Sequence, residues 1–357
     1  MKNLAMTGLQ RAITSVRRYR AARNRRPPEL RFGASETGAP CRIFYLSPDP
    51  PGPRGGVRVL YRHVDVLNSA GFDAAVIHHT AGYRANWFAH DTRTVAARDI
   101  VVTPHDVLVV PEFYGAAIAT WPTGQTVVLF DQGAYYTFDG MSVEDAKAID
   151  ERQDAAILTV SEDSLRLLRY AFPHSSVTSV RSVIEEKTFH PGAYAAPRRR
   201  IAYAANRRAQ ERHELLSILE LRGRLDWGLV PIRGMSETQV AETLRSCAIF
   251  LAFNEREGFG LPPAEAMASG CYVIGYHGQG AEEFFDPAYC RPVPESDLLD
   301  FAEAIEQAAA SYDADPRVLT DAGLAASRAV LARYHLEGLR TDLVAFFAEL
   351  GVDRISA

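Results

Sequence analysis

Short apolar runs alternate with longer amphipathic segments along most of the chain. Five nearly continuous apolar runs in the first half predict strands at 41–47, 74–79, 106–112, 126–132 and 155–161. Between the first two runs, segment 57–71 has helical spacing. Strands that are apolar on both faces and separated by helices are typical of a parallel sheet covered on both sides. We therefore expect a doubly wound α/β domain over residues 39–190.

A second series of the same kind occupies the other half of the chain. Segment 185–200 contains two prolines and no long apolar run, so we interpret it as a linker. Beyond it, strands are predicted at 200–206, 229–234, 248–253 and 272–276, with helices at 210–225, 236–247 and 262–270. These elements predict a second Rossmann-like domain over residues 197–335. Helical segment 336–357 is expected to pack back on the N-terminal domain, and a ligand cleft is expected between the two sheets.

The first 28 residues differ in composition from the rest of the chain. They contain eight basic residues and no acidic one, and Leu9, Ile13, Val16 and Tyr19 recur at helical spacing. Two interpretations stay open for segment 1–28. It is either a basic amphipathic helix that lies on anionic lipid or a solvated tail.

Composition is that of an ordinary globular protein and excludes several classes of function. Hydrophobic residues make up 47% and charged residues 23% of the chain. The formal net charge of −5 argues against general nucleic-acid binding, so an anionic ligand would need a local arginine cluster. The four cysteines form no CxxC pair, which argues against a zinc ribbon or a thioredoxin-like site. Because no apolar run has the roughly 18–20 residues of a membrane span, we expect a cytoplasmic protein, with or without peripheral contact at the inner membrane face.

The strongest chemical signal lies at residues 248–276. An apolar strand leads into a loop with Glu257 and a glycine-rich sequence, and Pro262–Pro263 then open a helix whose first turn is expected to contain Glu265. Glycines let the backbone approach a ligand closely, and the start of a helix offers free N–H groups to phosphate. Seven residues separate the two glutamates, so one can contact a sugar and the other a ribose, with phosphates between them.

This stretch resembles the E-x7-E signature of retaining glycosyltransferases with the GT-B fold. That family includes relatives of sucrose synthase and glycogen synthase and bacterial polysaccharide glycosyltransferases. The resemblance covers most of residues 200–290 and is diffuse in the N-terminal half. It implies two Rossmann-like domains that face each other across a cleft, and transfer with retained anomeric configuration. The donor would be a nucleoside diphosphate sugar, which is a co-substrate, and no separate cofactor is implied.

The resemblance also implies roles for residues in this loop. Glu257 would bind hydroxyls of the donor sugar, and Glu265 would bind the ribose. The backbone around them would line the sugar and the phosphates at Gly258, Phe259, Gly260 and Leu261.

An arginine cluster follows the first strand of the second domain. In the family, this position has an Arg and, five residues later, a Lys, and both bind the donor diphosphate. Here Arg207 and Arg212 have that spacing, and Arg208 competes with them for the role. Arg in place of Lys replaces a compact ammonium charge with a planar fork of donors.

The N-terminal half offers two further candidate sites. Gly55 and Gly56 follow a proline-rich loop and precede a helix, an arrangement that favours anion binding. Many relatives have a His at the end of a strand that faces the donor sugar, whereas this chain has Asp131 and Gln132. This variation resembles a subset that includes some bacterial rhamnosyltransferases. It implies that these two side chains orient the acceptor or the sugar, and it gives no support for a catalytic His.

Together these observations predict a metal-independent retaining glycosyltransferase that acts on a glycan, lipid-linked or other hydroxyl acceptor. No HxH, HExxH or DxD-like pattern stands beside the donor site, so arginines and helix dipoles would stabilise the leaving diphosphate. Two alternatives stay open: a nucleotide-sugar epimerase of the same fold and a non-catalytic sugar-nucleotide or glycan-binding module. A phosphorylase is disfavoured, since Lys2, Lys147 and Lys187 all precede the second domain. The sequence leaves the base, the sugar and the acceptor open, with a deoxythymidine-diphosphate sugar as one candidate.

Overall fold

The chain folds into two α/β domains, each built on a parallel sheet. The computed structural model describes residues 26–34, 40–193, 198–223 and 226–355. The predicted architecture of two Rossmann-like domains is confirmed. The basic segment predicted over residues 1–28 lies, except for its last three residues, outside the described residues. In the part of the chain that is described, no helix is both long and apolar enough to span a bilayer.

The N-terminal sheet has seven strands in the order β3-β2-β1-β4-β5-β6-β7. Its strands are β1 (Arg42–Leu46), β2 (Asp73–His78), β3 (Thr94–Ala96), β4 (Val107–Pro111), β5 (Val127–Asp131), β6 (Ala155–Thr159) and β7 (Ser176–Ser179). The five apolar runs form five of these strands. The edge strands β3 and β7 were not predicted, because the sequences TVA and SVTS are too short or too polar to stand out from loops.

The C-terminal sheet has five strands in the order β12-β11-β10-β8-β9. Its strands are β8 (Arg200–Ala204), β9 (Gly228–Ile232), β10 (Ile249–Phe253), β11 (Tyr272–Tyr276) and β12 (Arg291–Pro292). Strand β10 lies at the centre of this sheet, and all five of its residues are buried. The apolar run that precedes the glutamate loop is therefore the middle of a domain core.

Helices cover both sheets. They are α1 (Gly55–Ser69), α2 (Val143–Asp150), α3 (Glu162–Ala171), α4 (Ala209–Arg222), α5 (Glu237–Arg245), α6 (Leu261–Ala268), α7 (Leu298–Ala314), α8 (Arg317–Arg333) and α9 (Leu336–Glu349). Local sequence signals account for several of their ends. The hydroxyl of Ser161 accepts a hydrogen bond from the backbone of Ser164 at the start of α3. Gly223, in the left-handed region, ends α4.

The two domains share a continuous apolar core on one face of the N-terminal sheet. On β1, Ile43 and Tyr45 face this shared core, while Phe44 and Leu46 belong to the core on the opposite face. The shared core continues into the C-terminal domain through Phe259 and its neighbours. Apolar contacts therefore join the two domains in addition to the covalent connections of the chain. Packed side chains form the bottom of the cleft between the two sheets.

The chain passes between the domains twice, at neighbouring points. The first passage follows β7, and the second lies between α8 and α9, where the carbonyl of Tyr334 accepts a hydrogen bond from the amide of Ile184. Helix α9 then packs on the N-terminal domain. The ring centroid of its Phe347 lies 6.2 Å from that of Phe72, and Asp342 accepts hydrogen bonds of 2.7 and 2.8 Å from the side chain of Arg181.

We expect Phe347→Ala to lower the free energy of unfolding by about 3–5 kcal/mol, because it leaves a cavity between α9 and α1. Phe347 is fully buried. Leu221→Ala is the control, because that side chain is 90% exposed and its loss should change stability by less than about 0.5 kcal/mol. Urea denaturation measures both variants. Equal stabilities of the two variants would contradict the packing of α9.

Candidate functional site

The candidate site lies where the carboxyl ends of the two parallel sheets face each other. Glu257 is held in this cleft by the glycine-rich turn after β11. Its amide donates to the carbonyl of Gly278 at 2.8 Å, and its carbonyl accepts from the amide of Gly280 at 3.2 Å. A side chain at Gly280 would collide with the backbone of this loop, since an ideal Cβ there would lie 2.3 Å from the carbonyl oxygen of Gly258. The glycine-rich turn thus fixes the position of the first glutamate.

Glu257 and Arg207 form an ion pair that joins the ends of β10 and β8. A guanidinium nitrogen of Arg207 lies 3.0 Å from Oε1 of Glu257 and donates a hydrogen bond of 3.1 Å to Oε2. Burial raises the pKa of Glu257, and the positive charge of Arg207 partly offsets that rise. Oε1 is itself buried, and its contact with Arg207 does not have the geometry of a hydrogen bond.

Three strained residues surround this pair. Arg208, Arg256 and Gln279 adopt positive φ angles of 34°, 49° and 65° at the ends of β8, β10 and β11. Each costs on the order of 1–3 kcal/mol in a residue with a side chain, and such strain concentrates at functional sites. The strain thus marks the same edge of the sheet as the glutamate loop.

The three arginines of the cluster have different environments. The guanidinium of Arg208 donates to the carbonyl of Asn254 at 2.9 Å, pairs with Glu211 and Glu295, and lies 4.8 Å from the ring centroid of Tyr276. Its side chain is 8% exposed. Arg208 therefore holds the loops of the site together, and its donors are already engaged within the protein.

Arg207 and Arg212 remain as the candidates for binding a diphosphate. Arg212, in the first turn of α4, donates a hydrogen bond to the carbonyl of Arg207, which precedes the helix. The side chain of Arg207 is 36% exposed, so it can contact a ligand while it pairs with Glu257.

Helix α6 begins one residue earlier than the Pro-Pro pair. Gly260, with φ of 96°, precedes the helix, and an ideal Cβ there would lie 2.9 Å from the Cβ of Ala281. Helix α6 begins at Leu261, so Glu265 is its fifth residue rather than a first-turn residue as predicted. The ring of Phe259 is buried against Phe284, so only its backbone can face the cleft.

The N-terminus of α1 meets the N-terminus of α6 across the cleft. An ideal Cβ on Gly55 would lie 3.2 Å from Cδ1 of Leu261, and one on Gly56 would lie 3.3 Å from Oε1 of Gln132. Two helix N-termini, one from each domain, therefore converge on one region. Each offers unpaired N–H groups and a partial positive charge, so this region is suited to a phosphate or diphosphate.

Gln132 contacts both the glycine pair and the glutamate loop. Its side-chain amide donates to the carbonyl of Gly56 at 3.3 Å. Its own carbonyl lies so close to Gly258 that an ideal Cβ there would stand 1.7 Å from the oxygen. Only glycine fits at position 258 when the domains are arranged in this way.

Asp131 is buried beneath this contact and does not face the cleft. One carboxylate oxygen accepts from the amide of Gly133 at 3.0 Å, and the other accepts from the hydroxyl of Thr137. Burial raises the pKa of Asp131 to about 6. The side chain shapes the turn that presents Gln132, in contrast to the direct sugar contact that the resemblance implied.

Arg58 and Glu237 belong to the site although the sequence did not single them out. Arg58 pairs with Glu265 and lies 2.6 Å from Glu237, so a first-turn residue of α1 reaches both carboxylates of the other domain. Burial raises the pKa of Glu265, and the charge of Arg58 partly offsets this effect. The sequence feature that could have identified this cluster is the position of Arg58, because the helix dipole disfavours a cation in the first turn of a helix.

Metal-ligating side chains are not grouped together in the part of the chain that the structure describes. Within the described ranges, no group of three or more His, Cys, Asp or Glu side chains is placed to hold a metal ion. Positive charge in the cleft comes from arginines and helix N-termini.

The chain is similar to known proteins in part of its sequence and in its fold. Residues 229–320 match the family model described as Glycosyl transferases group 1. Sucrose-phosphate synthase from Thermosynechococcus elongatus superposes with a TM-score of 0.69 and 14% identity, over 88% of this chain and 99% of that chain. Anabaena HepE in complex with UDP and glucose gives a TM-score of 0.62 and 12% identity, over 86% and 99%. The fold is therefore that of GT-B glycosyltransferases, as the resemblance implied.

Two curated glycosyltransferases are similar in sequence to parts of the chain. An alpha-1,6-glucosyltransferase of Actinobacillus pleuropneumoniae serotype 7 is 27% identical over 241 residues, which are 63% of this chain and 69% of that protein. The human alpha-1,3/1,6-mannosyltransferase ALG2 is 29% identical over 119 residues, or 33% of this chain and 28% of ALG2. Residues 229–320 thus resemble the group 1 glycosyltransferase domain, and the chain has the GT-B fold.

The raised pKa of Asp131 predicts that stability falls as pH rises from about 4 to about 6. The folded state binds the carboxyl proton more tightly than the unfolded state, whose ordinary value is 3.8. The contribution of protonated Asp131 to the free energy of unfolding is complete below pH 3.8 and is lost above pH 6. The loss is on the order of 3 kcal/mol.

Asp131→Asn should therefore gain stability relative to the unmodified protein as pH rises through this range. Urea denaturation at intervals from pH 4 to pH 7.5 measures the difference. Exposed Asp139→Asn, in the same turn, serves as the control and should show a difference below about 0.5 kcal/mol at each pH. A constant difference between Asp131→Asn and the unmodified protein would contradict the assignment.

Proposed function

We propose that the protein is a retaining glycosyltransferase that moves a sugar from a nucleoside diphosphate to a hydroxyl group of a glycan or lipid-linked acceptor. The observation that carries this proposal is the position of the Arg207–Glu257 pair beside two converging helix N-termini in one cleft. A carboxylate suits sugar hydroxyls, and the converging dipoles suit a diphosphate. The GT-B fold and the group 1 domain support the same class of reaction.

The sugar, the ribose and the diphosphate of the donor each have a counterpart in the cleft. Glu257 accepts hydrogen bonds from hydroxyls of the sugar, and Glu265 accepts from the ribose. Arg207 and Arg212 neutralise the diphosphate together with the backbone of Gly55–Gly56 and of segment 258–261. Anabaena HepE, which shares the fold, was solved with UDP and with UDP-glucose, which supports a nucleotide sugar as the donor class.

The proposed reaction needs no protein nucleophile. The bond between the anomeric carbon and the β-phosphate oxygen breaks, and its electron pair leaves with the diphosphate. The acceptor oxygen forms the new bond on the same face of the sugar, and its proton passes to the departing phosphate. Arginines and helix dipoles stabilise the charge that develops on the leaving group, in the role that a metal ion has in other enzymes.

The acceptor is proposed from the sequence rather than from the cleft. The basic composition of residues 1–28, most of which lie outside the described residues, favours a lipid-linked acceptor at the inner face of the membrane. On this proposal the protein works in the cytoplasm.

We expect Arg207→Ala to weaken binding of the preferred nucleoside diphosphate at least tenfold, because a charge-assisted hydrogen bond to phosphate is lost. UDP, GDP, ADP and dTDP are compared by thermal shift and calorimetry. Arg222→Ala is the matched control, because Arg222 ends α4 far from the cleft and pairs with Glu306 of α7. If none of the four nucleotides binds the unmodified protein, the donor site is refuted and a glycan-binding module becomes the better reading.

Glu257→Gln should lower kcat/KM roughly 100- to 1,000-fold, because the amide can no longer accept hydrogen bonds with full charge from the donor sugar. Glu306→Gln, which removes the same charge outside the cleft, should leave kcat/KM within about twofold. The anomeric configuration of the product is read by NMR from the coupling constant of its anomeric proton. A product with inverted configuration would contradict the retaining mechanism, and interconversion of the donor without transfer would indicate an epimerase.

A further inference from the structure

Arg58 connects the two domains at the carboxylate that is proposed to bind ribose. It lies in the first turn of α1 and donates hydrogen bonds to Oε1 of Glu265 and, at 2.6 Å, to Oε1 of Glu237. The side chains of Arg58, Glu237 and Glu265 are only 17%, 13% and 10% exposed. We call these three residues the Arg58 cluster.

The location of Arg58 is unfavourable within its own domain. The first turn of α1 contains no acidic residue, and the positive end of the helix dipole repels a cation there. Glu237 and Glu265 of the C-terminal domain compensate for this repulsion. Glu237 is the first residue of α5, where the dipole favours its negative charge. The positive charge of Arg58 is therefore compensated by carboxylates only when the two domains are in contact.

The cluster is largely but not fully covered by protein. It borders a partly open cavity of about 20 Å³, enough for one water molecule. Arg58 contacts Oε1 of Glu265, which leaves Oε2 as the acceptor for a second group. Because a buried charge without its partner is strongly disfavoured, the orientation of Glu265 depends on Arg58.

We propose that Arg58 is a positioning residue that fixes the carboxylate of Glu265 toward the nucleotide ribose and links ribose recognition to closure of the domains. The proposal rests on the proposed function in one respect, namely that Glu265 binds the ribose. When the domains separate, Glu265 loses the partner that orients it. The protein then discriminates ribose hydroxyls only in the closed arrangement.

Arg62 provides a matched control on the same face of α1. It lies one turn after Arg58, pairs with Glu185 at 3.1 Å and borders the same cavity, but it makes no contact with Glu265. A purely structural contribution of the α1 arginines would affect both positions in the same way. A positioning role predicts an effect at Arg58 alone.

The test measures discrimination rather than affinity alone. Dissociation constants are determined by calorimetry for the nucleoside diphosphate that binds best and for its 2′,3′-dideoxy analogue. The unmodified protein should bind the analogue roughly 10- to 100-fold more weakly, since hydrogen bonds to a charged acceptor are lost. Arg58→Gln should reduce this ratio to below about threefold, as should Glu265→Gln, while binding through the diphosphate persists.

Arg62→Gln should keep the ratio of the unmodified protein, because it leaves the bond between Arg58 and Glu265 intact. If Arg58→Gln does not yield folded protein by circular dichroism, Arg58→Lys is used, and its ratio should fall below that of the unmodified protein. A full ratio in the Arg58 variant would overturn the positioning role. If no nucleoside diphosphate binds the unmodified protein, the failure lies in the proposed function instead.

Discussion

Two stretches of backbone, one from each domain, touch at the centre of the cleft, where Gly258 lies against the carbonyl of Gln132. The contact leaves no space for a Cβ, so it fixes both the residue type and the arrangement of the domains. The features of the site that join the two domains depend on it. With the backbones this close, the starts of α1 and α6 face each other, and the side chain of Gln132 reaches the carbonyl of Gly56. The same approach brings Arg58 within reach of Glu265.

Charge in this cleft is arranged in pairs that cross element boundaries. Glu257 is buried at the end of β10 and meets Arg207 from the end of β8, while Glu265 meets an arginine of the other domain. Burial alone would favour protonated carboxyls, and the arginines counter this tendency. The carboxylates thus remain able to accept hydrogen bonds from ligand hydroxyls. Burial also raises the pKa of Asp131, and hydrogen bonds from Thr137 and Gly133, rather than a cation, offset part of that rise.

The sequence predicted the fold to the extent that its strands are continuous and apolar. Strands such as β10 stand out because they are buried on both faces, whereas β3 and β7 lie at sheet edges and carry no such signal. Within the site, local motifs indicated the glutamate loop and the arginine cluster. The pairing of Arg58 with Glu265 spans 207 positions of sequence and two domains, so no local pattern contains it. The roles of Arg208 and Asp131 were likewise beyond reach, because their partners come from distant turns or from burial that the sequence does not display.

The hydrogen bond between Ile184 and Tyr334 joins the two chain segments that cross between the domains. The chain leaves the first domain and returns to it at nearly the same point, so the second domain is an insertion within the first. The N-terminal domain is then discontinuous, and α9 is one of its own elements although it lies at the other end of the sequence. Exchange of donor domains between relatives would accordingly require two junctions, one at each side of this bond.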